Sequence, residues 1–197
     1  MGSYSMIAEV GNSIVRLLRD NLVPEVIANP DAIGLCEPQE RGDYIVGIYL
    51  YDVRECDDVR ATSMVNVGMA RQKYPPMYVT LSYMITAYSN GDVKYRSGEE
   101  QKILGRVMQV LYDNALLDSN TLEPLPKENR TSSDMNLRIQ LQNLSYEEKQ
   151  KIWNIPSKAY KLSLFYKVAP VEIESMRVKN ITRVTEIGIS YQEKTQS

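Results

Sequence analysis

Between Met77 and Ala87 one parity of the chain is apolar without interruption. Met77, Val79, Leu81, Tyr83, Ile85 and Ala87 fall on it, while Thr80, Ser82 and Thr86 fall on the other. That period of two belongs to a strand with one face in a core and a wetter face opposite. Pro75 and Pro76 lack the amide hydrogen that a ladder requires, so they fit only at the strand's beginning or edge.

The segments around this strand alternate between helical and extended periods. From Met6 to Asn21, Ile7, Val10, Ile14, Leu17 and Leu18 recur three or four residues apart with Glu9, Ser13, Arg16 and Arg19 between them, which predicts an amphipathic helix. Tyr44 to Tyr51 is a β-branched and aromatic run of strand length. Gly98 to Asn114 carries a second stripe of Ile103, Leu104, Val107, Met108 and Leu111, with Ser97 and Glu100 at capping-box spacing before it. Leu137 to Leu141 alternates again, and Ser145 and Glu148 open a short helix that ends near Trp153. A final clear strand sets Leu162, Leu164, Tyr166 and Val168 on one face. Residues 120–134, rich in Pro, Ser, Thr and Asn, read as a surface loop.

Helices between alternating strands imply an α+β fold, an antiparallel or mixed sheet with helices packed on one face. The expected core is Val79, Leu81, Ile85, Leu104, Val107, Leu111, Leu162 and Leu164. Residues 1–5 read as a tag remnant or disordered start, 6–175 as one domain, and 176–197 as a C-terminal strand and tail.

Composition closes off much chemistry. The chain has no histidine, which removes the commonest neutral-pH base, the commonest metal ligand and every Ser-His or Cys-His nucleophile. Cys36 and Cys56 stand alone, without the spacing of a disulfide framework or a metal knuckle. A net charge of −2 from 23 basic and 25 acidic residues gives no pull towards phosphate backbones or anionic lipid. No apolar run approaches the roughly 20 residues of a bilayer span, and no phosphate-loop or dinucleotide motif occurs. No cofactor, metal, catalytic residue, nucleic acid or membrane partner is therefore expected. Glu99, Glu100, Glu147 and Glu148 fall in first helical turns, where carboxylates offset exposed amide dipoles. The 14 tyrosines suit core and interface positions.

With these segments placed, the chain resembles the tail-cap, or tail-terminator, proteins of extracellular contractile injection systems. The residues that carry the likeness are "MIAEVGNSIVRLLRDNL", "YLYDVRECDDVR", "YPPMYVTLSYMITAYS", "EEQKILGRVMQVLYDNALL" and "NLSYEEKQKIWNIPSKAYKLSLFYKVAPVEIES", in that order from Met6 to Ser175. Residues 176–197 lie outside it. The resemblance implies a phage-tail-like structural role, with six copies in a ring that closes the distal end of the inner tube and its sheath. It implies self, tube and sheath proteins as partners, assembly in the cytoplasm, and no catalytic residue. A second reading, an enzyme or small-ligand binder with tyrosines and carboxylates in one cleft, stays open on the residues alone.

Two stretches are expected to contact partners. Residues 52–73 form a long connection holding Arg54, Glu55, Asp57, Asp58, Arg60, Arg71 and Lys73 with apolar Met64 and Val67, a length that is uncommon unless it binds something or is disordered, the alternative being a mobile hairpin. Residues 180–194 read as a terminal strand, with Ile187, Ile189 and Tyr191 on one parity, either available for pairing with a neighbouring protein or completed within its own sheet.

Overall fold

The alternating segment lies at the heart of a mixed sheet. The structure, a computed structural model, describes residues 4–68, 70–117, 137–154 and 159–180. Along them run α1 (Met6–Leu22), β1 (Ile33–Leu35), β2 (Val46–Glu55), β3 (Val65–Asn66), β4 (Arg71–Lys73), β5 (Met77–Ala87), α2 (Val93–Asp113), β6 (Leu116–Leu117), β7 (Leu137–Leu141), α3 (Tyr146–Ile152), β8 (Ser163–Ile173) and β9 (Val178–Asn180). The main sheet has the order β1-β2-β5-β8-β7-β6, and a small one has the order β3-β4-β9. Among the described strands only β1 and β2 run parallel, so the α+β class with a mixed sheet is as the sequence implies.

One face of the sheet carries the main core. Val10, Ile14, Leu18 and Leu22 of α1 and Leu104, Val107 and Leu111 of α2 are buried over Ile48, Leu81, Tyr83, Ile85 and Val168. Each such side chain contributes about 1.5–3 kcal/mol on leaving water. Two irregularities adjust the alternation at the far end of the strands. β2 gains a residue between Leu50 and Asp52, and β8 gains one between Val168 and Val171, where Pro170 has no amide to offer.

Several expectations need correction. The opposite face of β5 is not wet: Ser82, Met84 and Thr86 are all buried. Trp153, at the end of α3, packs with Met84 and Phe165 there, and its indole N–H donates to the carbonyl of Ala159 at 2.9 Å. Thus α1 and α2 share one face while α3 covers part of the other. Leu162 is 55% exposed because β8 begins one residue after it, and Leu164 is half-buried. The other six expected core residues are buried.

The second helix starts at Val93 rather than Gly98, because the Asp92 carboxylate, not Ser97, accepts the amide of Lys94. Glu99 and Glu100 therefore lie inside the helix and do not cap it. Glu100 accepts the Ser89 amide at 3.0 Å and the Lys161 ammonium at 2.6 Å, while Glu99 takes the Ser89 hydroxyl. The capping box of Ser145 and Glu148 does form. The expected loop at 120–134 and all but the first residue of the strand at 180–194 lie outside the described residues.

Candidate assembly interface

The 52–73 stretch has its own secondary structure. β2 runs on to Glu55, so Asp52, Arg54 and Glu55 belong to a strand, and Asp52 pairs with Arg54 at 2.5 Å. The Cys56 amide bonds the Tyr78 carbonyl at 2.8 Å, and the chain then leaves the main sheet with Asp57, Asp58 and Arg60 exposed and Met64 half-buried. It returns through the β3-β4 hairpin. β9, at the start of the segment read as a C-terminal strand and tail, pairs along the other side of β4. Segments of two or three residues carry too few positions for a period to show.

These three strands prolong the two central ones. β4 leads into β5 and β9 follows β8, and the ladder between them is kept by the Tyr74 amide on the Arg177 carbonyl at 3.1 Å. The Arg177 guanidinium lies 4.2 Å over the Tyr74 ring, and Lys73 pairs with Glu174. Within the arm, Val65, Lys73 and Val178 are directly opposite one another and share a face with Arg71 and Val67; Asn66, Gln72 and Lys179 share the other. One face mixes Val65, Val67 and Val178 with Arg71, Lys73 and Asn180, and the other is wholly polar. No arm strand contains a buried residue. Val65, Val67 and Val178 are 41, 48 and 51% exposed, and Met77 and Met176 add to the apolar surface at the arm's root. A short sheet without a covered face is marginal by itself.

The structure thus brings Val67, Arg71 and Lys73 to one face of the arm, while Arg54 and Glu55 stay on β2 and Asp57, Asp58, Arg60 and Met64 on the link. Ile187, Ile189 and Tyr191 lie outside the described residues.

Tyrosines and carboxylates do not meet in either of two surface hollows. One, of about 530 Å³, is lined by Glu25, Glu99 and Lys102 and has no tyrosine. The other, of about 660 Å³, holds Tyr112 and Tyr166 and has no carboxylate. Burial pushes the phenols of Tyr88 and Tyr166 up to about 12 and that of Tyr83 higher still, away from what a neutral-pH base needs. Among the described residues no three acidic or cysteine side chains converge on a metal site, and no helix is long and apolar enough to cross a membrane.

Residues 9–186 match the family described as the Pvc16 N-terminal domain. The chain belongs to that family. The match extends past Ser175, where the resemblance read from the sequence stopped, and takes in β9 and the arm. Among the solved structures similar in fold to this chain are two terminators. One is the sheath/tube terminator of an extracellular contractile injection system, PVC, in its extended state, with a TM-score of 0.65 and 19% identity over 96% of this chain and 64% of that one. The other is the anti-feeding prophage cap, a tube-terminating cap, with a TM-score of 0.61 and 21% identity over 92% of this chain and 60% of that one. At these identities the likeness is one of fold, and the chain spans less than two thirds of either neighbour's length. No curated protein matches the chain.

Proposed function

We propose that this protein is a structural terminator of a contractile injection system, forming a ring that closes the distal end of the inner tube and sheath. The observation that carries the reading is the family match together with a sheath/tube terminator fold covering 96% of the chain. The arm supports it, since an uncovered apolar strand face suits a ring-forming subunit better than an isolated one. Six copies per ring, tube and sheath proteins as the partners, and assembly in the cytoplasm before incorporation into the particle complete the proposal. Arg71, Val67 and their neighbours would touch a partner through the arm. The role is mechanical and involves no catalytic step. Copurification with a contractile tail followed by imaging of its end tests this: density for the chain at the tail end is expected, and its absence from intact tails overturns the reading.

A further inference from the structure

Past Ile48 no described strand flanks β2, and its last residues form a margin of the sheet. Leu50, Val53 and Glu55 are opposite Tyr83, Leu81 and Val79, which face the main core, so all three stand on the helix-bearing side. Leu35, the last residue of β1, is on that side too: a Cβ on Gly11 of α1 would stand 3.2 Å from its side chain. Leu35 and Val53 are 41 and 43% exposed, and Leu50 is half-buried. This apolar shelf ends in Glu55, Asp57 and Asp58, all exposed and without an ion pair among the described residues. Asp52 is already matched by Arg54, and Arg60 is the one cation on the link between β2 and β3.

The arm has the converse make-up. Val65, Val67 and Val178 share their face with Arg71, whose side chain is exposed and has no ion pair among the described residues, whereas Lys73 is held by Glu174. The arm face thus sets valines around an unpaired cation, and the shelf sets aliphatic side chains beside unpaired carboxylates. Within one chain the two surfaces do not meet, since Val53, Val65 and Val178 all stay exposed.

We infer that the arm face of one copy seats on the β1-β2 shelf of a second copy, with its three valines against Leu35 and Val53 and Arg71 among the carboxylates of Glu55, Asp57 and Asp58. Charge selects this pairing over the two symmetric ones. Arm on arm would set Arg71 against Arg71, and shelf on shelf would gather the carboxylates of both copies, and like charges brought face to face are costly. The apolar side chains supply the affinity, and the charges fix the register and the choice of partner. Because the two surfaces differ, the contact is head-to-tail and generates a ring when its rotation closes.

This inference rests on the terminator reading only for the ring's place at a tail end, and its test uses the full chain alone. In sedimentation velocity the parent should form assemblies. Arg71→Glu, and separately Asp57→Lys with Asp58→Lys, should each weaken self-association about tenfold or more, because each sets like charges face to face. All three positions are exposed, so the fold is kept. An equimolar mixture of the two variants should recover the parent's assemblies, since the reversed arm of one matches the reversed shelf of the other and their unaltered surfaces match as before. A parent that stays monomeric, variants that associate as the parent does, or a mixture no better than its components overturns the proposal. Absence of the chain from intact tails overturns the terminator reading and leaves this contact standing.

Discussion

Arg19 donates from Nε at 3.0 Å and from Nη2 at 2.7 Å to the carbonyl of Ile33. Ala32 and Cys36 bond towards β2, so the Ile33 carbonyl faces outward from β1, and α1 covers with one side chain an edge that another strand would otherwise reach. Replacing Arg19 by methionine keeps much of the apolar stem and removes both donors. The orphaned carbonyl should cost roughly 1–3 kcal/mol, read as a lower urea midpoint. An unchanged midpoint would show that water serves the carbonyl equally well.

Register decides the second prediction. Leu81 is fully buried, and Leu162 is on the parity of the core yet outside the strand. Leu81→Ala should lose about 2–5 kcal/mol, and Leu162→Ser should stay within about 0.5 kcal/mol of the parent. Equal losses in chemical denaturation would contradict the observed start of β8.

Trp153 is the chain's one tryptophan and is 4% exposed against Met84 and Phe165. Its fluorescence should be blue-shifted in the folded protein and move red with unfolding. Trp153→Ala should cost about 3–5 kcal/mol. Emission at the wavelength of free indole before any denaturant is added would refute the second core.

The tyrosines set an alkaline limit. Burial raises the phenols of Tyr88 and Tyr166 from 10.0 to about 12, so the folded state holds their protons more tightly than the unfolded one. Their contribution is complete below pH 10 and is lost as pH rises from about 10 to 12. Thermal melting followed from pH 8 to 12 should fall less steeply in Tyr166→Phe than in the parent. Parallel curves would mean that Tyr166 ionises as freely in the folded chain.

On the arm, Val65→Ser with Val67→Ser should leave the single chain's stability within about 1 kcal/mol, two exposed changes of about 0.5 kcal/mol each, and should weaken self-association seen in sedimentation. Unaltered association would remove the arm's apolar face from the interface.

What was legible in the sequence was local. The stripe of α1, the alternation of β5 and the Ser145–Glu148 box each depend on residues within one segment, and each stands where it was read. The start of α2 was misread because Ser97 and Glu100 have the spacing of a cap while Asp92, earlier in the chain, makes the bond. The burial of Met84 and Thr86 depends on Trp153 and Ser163, far along the chain, and no periodicity encodes that. At the candidate interface the charged and apolar residues were visible, but their division between the two faces of the arm follows from pairing with Val178–Asn180, which only the fold supplies.

The prolongation of β5 and β8 into β4 and β9 also has a mechanical meaning. A pull on the arm along the strand axis is carried into two eleven-residue strands, each flanked on both sides within the sheet. The ladder bonds between them are crosswise to that pull, so they resist it together instead of parting one after another. Tension reaching a subunit through its arm is thereby spread across the middle of the sheet.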